Sequence, residues 1–254
     1  AVGSSSPACW RFLDRRCRAG MATASAENGA GAASSTAGLL DFVDTCAKLK
    51  TTKRTGWVRK GVADAESVGD HSFRVAVMAL ALGGEAGVDV GRAVQMALVH
   101  DLAEAKVGDL VVDGEQASRD KVTREEKAVL ESKAMDSICS TAGRAGSHIR
   151  ALWDDFEAGA SPEARFVKDL DKLEMLCQAR TYEEEQPKVN LDDFYRSTAS
   201  YTFNTPVCHS LDQEVRQQKR ARLLAAGDAD AQVPGIEEDA AKKSAASAAE
   251  RGRL

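Results

Sequence analysis

Residues 93–104 read Ala-Val-Gln-Met-Ala-Leu-Val-His-Asp-Leu-Ala-Glu. The run is apolar on nearly every helical face until a histidine, an aspartate and then a glutamate close it. A helix that is hydrophobic all round belongs in an interior. Burying an imidazole and a carboxylate there without partners costs several kcal/mol, so His100 and Asp101 demand a metal, a counter-charge or a hydrogen-bond network. The segment therefore calls for a helical core with a polar centre inside it.

The rest of the chain agrees with a helical core. The apolar period stays close to 3.6 and no alternating run of strand length occurs, which predicts an all-α bundle. Leu39, Leu40, Val43 and Ala47 open a first helix. Ser67 and Asp70 form an N-cap and N3 pair for a second, expected to reach about Leu82. Asp89 precedes the third, expected to end near Gly108. Thr123 with Glu126 is a capping-box signature for a fourth, and a fifth surrounds Ile149 to Phe156. Ser161-Pro162 supplies a cap and an N1 proline for a long sixth helix to about Glu183. Helices near Asp193 to Tyr201 and Leu211 to Leu224 complete the set, with no internal repeat.

With 254 residues, 43% hydrophobic and 29% charged, the chain can bury a substantial core. Its 34 Lys and Arg against 39 Asp and Glu give a net charge of -5, which disfavours a nucleic-acid partner but leaves room for a local basic cluster on a small phosphate. The six cysteines are scattered without a C-x-x-C pair, the pattern of reduced thiols. No apolar run approaches the roughly 18 residues of a membrane span. Residues 1–37 are rich in Ala, Ser and Gly and carry Arg11, Arg15, Arg16 and Arg18 against two acids, so disorder is expected. Two readings of that segment stay open: a chloroplast or mitochondrial transit peptide, or sequence upstream of a true start at Met21 in a cytoplasmic protein. The folded domain is expected over 38–226, and the Ala-rich 227–254 as a solvated tail.

Further polar candidates lie on apolar faces. His71 begins the second helix on a face shared with Val75 and Met78. The stretch Phe166-Val167-Lys168-Asp169-Leu170-Asp171-Lys172-Leu173 offers two aspartates about 200° apart on a helix, so one faces inward. Asp169 shares its side with Arg165 and Lys172 and reads as solvated. Asp171 aligns with Val167, Glu174 and Met175 and reads as interior. Two imidazoles and two carboxylates from three helices would form one mixed N/O site, suited to one Mn²⁺, Co²⁺, Fe²⁺ or Mg²⁺ ion. His148 and His209 read as surface residues, which favours a single metal. Lys53, Arg54, Arg59 and Lys60 form a cationic cluster that either neutralises a phosphate or is an ordinary solvated charge run, and Trp57 lies 14 positions before His71, where its indole either covers a sugar or base or is a partly buried core aromatic.

His71, His100-Asp101 and Asp171 in this order resemble the H…HD…D signature of the HD superfamily of metal-dependent phosphohydrolases. The stretches Arg54-Thr55-Gly56-Trp57-Val58, Glu66 to Ser72, Ala97 to Glu104, Val107-Gly108-Asp109 and Phe166 to Asp171 are similar to its 5′-deoxynucleotidase branch, over roughly residues 39–224. The resemblance implies a helical homodimer that hydrolyses deoxynucleoside 5′-monophosphates with a divalent metal. It assigns His71, His100, Asp101 and Asp171 as ligands, Glu104 as a catalytic carboxylate acting on water, and Asp109 as an acid near the substrate. Glu104 at i+4 from His100 and i+3 from Asp101 shares their helix face. Bacterial relatives carry Arg immediately before the tryptophan; here that position is Gly56 and the nearest arginine is Arg54, the candidate for the phosphate. Two alternatives stay open: hydrolysis of another nucleotide, a triphosphate or alarmone, and a catalytically silent nucleotide-binding interaction protein.

Overall fold

The computed structural model describes residues 35–111 and 122–236. Among these every regular element is helical, and the one β-type contact is an isolated antiparallel bridge between Lys53 and Ser67. The helices are α1 (Thr36–Ala47), α2 (Thr55–Arg59), α3 (Val68–Ala86), α4 (Val90–Val99), α5 (Glu104–Val107), α6 (Arg124–Thr141), α7 (Gly146–Ala158), α8 (Pro162–Glu185), α9 (Asp192–Ser197) and α10 (Pro206–Ala225), with 3₁₀ turns at Lys48–Lys50 and Gly143–Ala145. The all-α expectation holds. Residues 1–34, with the Arg-rich segment, lie outside the described part, although α1 already starts within the stretch 1–37.

The start signals work as read. Ser67 accepts from Asp70 N while Asp70 accepts from Ser67 N, and Thr123 and Glu126 do the same at α6. Each such box satisfies two of the orphan amides of a helix start. Ser161 caps α8 with Pro162 at its first position. α3 outruns its expected end and stops only at Gly87, in the left-handed region at φ 70°, where a Cβ is penalised. At Gly146 the backbone of Cys139 leaves no room for a Cβ, which lets α7 start hard against α6.

The third helix departs from expectation. It does not run to Gly108: α4 ends at Val99, and Leu102, Glu104 and Ala105 bond back three residues to Val99, Asp101 and Leu102. The cause is local. His100 Nδ1 donates to Ala97 O at 2.7 Å, the carbonyl that the amide of residue 101 would use in a continuing α-helix. The chain tightens into a 3₁₀-like corner and re-enters a helix at Glu104.

α3, α4, α7 and α8 pack around Val75, Ala79, Met96, Leu152, Phe166, Leu170 and Leu173. A second cluster joins Trp57 and α8 to α9 and α10 through Leu176, Tyr182, Leu191, Tyr195 and Val215. A third gathers Leu49, Val68, Leu102, Met135, Ile138 and Trp153. α8 is therefore covered on two sides, and this corrects the reading of Asp169. Asp169 is fully buried rather than solvated. It accepts from Tyr201 Oη at 2.9 Å, Asn204 N at 2.8 Å, Asn204 Nδ2 at 2.9 Å, and Thr205 N and Oγ1 at 2.8 Å. Those bonds tie α8 to the turn that starts α10.

The expected tail from 227 needs a similar correction. Ala231 and Val233 are buried, Val233 within the second cluster, and Ile236 packs against it. Pro234 O accepts from Arg216 and Gly235 O from Gln213 Nε2. Residues 237–254 lie outside the described part. Ending the chain at residue 226 exposes that face of the second cluster and removes an acceptor from buried Arg216. The loss of the Val233 contact alone is worth about 1.5–3 kcal/mol, so truncation at 226 is expected to lower the melting temperature relative to truncation at 236. Differential scanning calorimetry of the two chains checks this, and equal melting temperatures would contradict the packing.

Candidate metal centre

Four side chains from three parts of the chain meet where α3, the corner after α4, and α8 converge. His71 Nε2 lies 3.3 Å from His100 Nε2, 3.3 Å from Asp171 Oδ1 and 3.6 Å from Asp101 Oδ2. His100 Nε2 lies 3.3 Å from Asp101 Oδ2. His71 and His100 are buried, while Asp101 and Asp171 stand at the edge with 17% and 18% of their side chains exposed. The structure thus brings together all four groups that the sequence nominated.

Their outer contacts decide which atoms face inward. The Ala97 carbonyl can only accept, so His100 carries its proton on Nδ1 and presents the Nε2 lone pair to the centre. His71 Nδ1 lies 2.6 Å from Glu174 Oε2, in a fully buried contact. Arg74 Nη2 sits 2.5 Å from Glu174 Oε1 and donates to Glu174 O at 3.1 Å, while Arg74 Nη1 donates to Gln178 Oε1 at 2.6 Å. This chain fixes the His71 ring with Nε2 inward. His71 Nε2 then faces His100 Nε2 and an oxygen each of Asp101 and Asp171, an arrangement that draws a cation: a proton on His71 Nε2 or a metal ion in its place. Donor atoms about 2.0–2.2 Å from one ion stand roughly 3 Å apart, close to the spacings here, and the N/O set suits a divalent cation.

The electrostatics carry the same message. Burial and the Arg54 charge pull the His71 pKa down, yet its hydrogen bonds to Asp171 and Glu174 outweigh them and raise it to about 9. Burial works against ionisation of Asp101, but His100, Arg54 and His71 hold its carboxyl below the usual range. Asp171 is likewise held low, by Lys172 and His71 against its burial. Two cations stand at this spot: Arg54 Nη1 donates to Asp101 Oδ2 at 3.2 Å and its Nη2 lies 3.9 Å from Asp171 Oδ1, while Lys172 Nζ lies 2.9 Å from Asp171 Oδ2. Of the basic cluster, Arg54 reaches the centre, whereas Lys53 donates to Ala65 O and Lys60 pairs with Asp193.

Glu104 is 3% exposed and its Oε2 is buried without a hydrogen-bond partner. Burial, with Asp101 and Asp109 nearby, pushes its carboxyl up to about 10. Such an unpartnered carboxyl beside a ligand cluster is the type of group that exchanges a proton with a bound species. Asp109 accepts from Thr55 N at 2.6 Å, and its carbonyl accepts from Thr55 Oγ1 at 2.7 Å. It lines a cavity of about 450 Å³ with Arg54, Trp57, Phe194 and Tyr201. Of the two readings of Trp57, the structure favours the core aromatic. It is 1% exposed, donates Nε1–H to Glu66 Oε1 at 2.8 Å, and packs on Phe194 at 4.1 Å between ring centroids. Its indole belongs to the core and offers the cavity little surface; the half-buried Phe194 is the more accessible ring.

His148 is exposed and bonds Gln95, and His209 is half-buried on α10. A second carboxylate-rich group, Glu66, His71 and Glu174, also lies close enough to hold an ion. Its atoms are already engaged, by Trp57, by the His71 Nδ1 proton and by Arg74. The sequence reading missed Glu174 and Arg74 as supports of His71. The signal was present, because Glu174 lies three residues after Asp171 on the same helical face.

A profile of the HD-domain family matches residues 46–206. The chain belongs to this family. It is similar to the 5′-deoxynucleotidase HDDC2 of Dictyostelium discoideum, 40% identical over 71% of this chain and 98% of the relative, and to the Homo sapiens protein of the same name, 39% identical over 74% and 89%. Among solved structures it resembles a conserved hypothetical protein from Pyrococcus furiosus, with a TM-score of 0.56, 30% identity, and coverage of 71% of this chain and 99% of that one.

Two substitutions on α8 separate the roles of its acids. Glu174→Ala removes the acceptor that orients His71 and is expected to weaken divalent-metal binding by about 10- to 100-fold, with Glu174→Gln retaining part of it. Asp169→Ala is expected to cost roughly 3–5 kcal/mol of stability, with metal affinity unchanged in the folded protein. Titration calorimetry with Mn²⁺ and thermal melts of both variants check this; unaltered affinity in Glu174→Ala would remove it from the site.

Proposed function

We propose that this protein is a metal-dependent 5′-deoxynucleotidase that converts deoxynucleoside 5′-monophosphates to deoxynucleosides and phosphate. The observation that carries this reading is the inward-facing set of His71 Nε2, His100 Nε2, Asp101 Oδ2 and Asp171 Oδ1 beside the unpartnered Glu104. The names of its relatives supply the substrate class. His71, His100, Asp101 and Asp171 hold one divalent ion, for which Mn²⁺, Co²⁺, Fe²⁺ and Mg²⁺ are the candidates. When bound, the ion polarises a phosphoryl oxygen and acidifies water.

The residues of this chain do the rest. Glu104 orients the attacking water; burial and its acidic neighbours push its carboxyl up to about 10, so it would take the water's proton where a bound cation's charge brings that value down, and hand it to the departing 5′-oxygen. Arg54, held between the two ligand aspartates, supplies charge to the phosphoryl oxygens as the P–O bond breaks. The cavity along Trp57, Phe194 and Asp109 receives the nucleoside. A sugar whose 2′ carbon rests on the Phe194 ring places a ribose 2′-hydroxyl against an apolar face, which favours deoxyribose.

We also infer a homodimer. α3 exposes Phe73, Val77 and Leu80 at 67%, 46% and 65%, a helical stripe apolar enough to seat a second copy. Among the described residues no helix is long and apolar enough to cross a membrane.

The test is phosphate release from deoxynucleoside and ribonucleoside mono- and triphosphates with Mn²⁺, Co²⁺ or chelator. Expected are chelator-sensitive cleavage of monophosphates and a kcat/KM for dAMP roughly 5- to 150-fold above that for AMP. Glu104→Ala is expected to keep metal and lose about 10² to 10⁴ in kcat. Cleavage confined to triphosphates, or none with any metal, would contradict the reading.

A further inference from the structure

Arg54 occupies a place in the chain that rarely suits an arginine. It is the N-cap of α2, and its side chain makes no capping bond. Ser, Thr, Asp or Asn normally stand there, because their short side chains satisfy a free amide of the first turn. The Arg54 guanidinium instead reaches Asp101, 47 residues on, and Asp171. Another group must then close the start of α2.

Asp109 does so from across the fold. Its Oδ2 accepts from the backbone amide of Thr55, the first residue of α2, at 2.6 Å, and its carbonyl accepts from Thr55 Oγ1 at 2.7 Å. A carboxylate on such an amide is a charge-assisted contact, and the hydroxyl bond beside it makes a two-point clamp. Asp109 lies just past the end of α5, the helix that Glu104 opens. On the other side, the Arg54 amide donates to Glu66 O at 3.1 Å, and the bridge between Lys53 and Ser67 leads into α3. The backbone of Arg54 is therefore fixed between the segment that precedes His71 and the turn that follows Glu104.

Thr55 itself stands outside the chemistry. Arg54, Gly56, Trp57 and Asp109 line the cavity beside the centre, and Thr55 does not. Its half-buried hydroxyl is spent on the Asp109 carbonyl. Any effect of that hydroxyl on a bound phosphate passes through its neighbours.

We propose that Thr55 is a positioning residue. Its two bonds to Asp109 close the start of α2 in place of an N-cap side chain, and so leave the Arg54 guanidinium free to stand on Asp101 and Asp171, where the phosphate arrives. The proposal rests on the deoxynucleotidase reading for the role of Arg54. A long, flexible cation delivers its charge to one point only when its backbone is held.

The experiment uses the full chain with Mn²⁺ and reads dAMP cleavage well below the melting temperature. The wild type is compared with Thr55→Val, Thr55→Ser, Arg54→Gln and the variant carrying both Thr55→Val and Arg54→Gln. Removing the hydroxyl bond is expected to lower kcat by about 3- to 10-fold in Thr55→Val, and Thr55→Ser, which keeps the hydroxyl, to recover it. With Arg54 already replaced, Thr55→Val is expected to change kcat no further, because groups that act as a unit are not additive. A role in stability alone would lower the melting temperature and leave kcat at saturating dAMP unchanged. That result overturns the proposal, as does an equal loss in both backgrounds. Thr55→Ala carries the same expectations if the valine variant does not fold.

Calorimetric titration of inorganic phosphate into the same proteins keeps the claim separate from the activity. A wild type that cleaves no nucleotide sinks the functional reading, and phosphate affinity then decides the clamp. Weakening by about 3- to 10-fold in Thr55→Val, absent in the Arg54→Gln background, supports it. Affinity independent of Thr55, or no phosphate binding at all, overturns it.

Discussion

His71 Nε2 lies 3.3–3.6 Å from His100 Nε2, Asp101 Oδ2 and Asp171 Oδ1, and His100 Nε2 lies 3.3 Å from Asp101 Oδ2, a crowding of acceptors that a protein interior holds only with positive charge among them. Four acceptors at that spacing, two of them formally anionic, would otherwise repel by several kcal/mol in a partly desolvated pocket. The structure supplies the means to hold them there. The Ala97 carbonyl takes the His100 Nδ1 proton, and Glu174, backed by Arg74 and Gln178, takes that of His71. The same bond that orients His100 also breaks the helix behind it. That break carries Glu104 round to the buried position beside the centre.

Helix α8 carries stability and chemistry on different residues of one short stretch. Asp169 accepts the donors that seat the start of α10, Asp171 faces the centre, and Glu174 steadies His71. Lys172, paired with Asp171, lines the cavity along Trp57. Because α8 is packed by α3, α4 and α7 on one side and by α9 and α10 on another, little of it can change without moving either the core or the site.

Much of this was legible because the relevant signals are local. The capping residues Ser67, Thr123 and Ser161 announce helix starts through bonds made within three residues. The apolar run ending in His100-Asp101 announces a buried polar centre through its composition alone. Asp169 was misjudged because a helical wheel tells which residues share a side but not what covers each side; both sides of α8 proved to be interior. The end of α4 was misplaced because it depends on a side chain competing for a backbone carbonyl, which apolar periodicity does not register. Residues 231–236 were misread, and Trp57 stayed open between two readings, for the same reason: their burial is created by Phe194, Tyr182 and α10, distant in sequence.

The central claim, that His71, His100, Asp101 and Asp171 together hold one divalent ion, is tested most directly by anomalous diffraction from crystals of the protein soaked in Mn²⁺. The account predicts a single strong peak about 2.0–2.3 Å from His71 Nε2, His100 Nε2 and an oxygen each of Asp101 and Asp171. A peak between Glu66 and Glu174, or no peak near either histidine at saturating Mn²⁺, would contradict it.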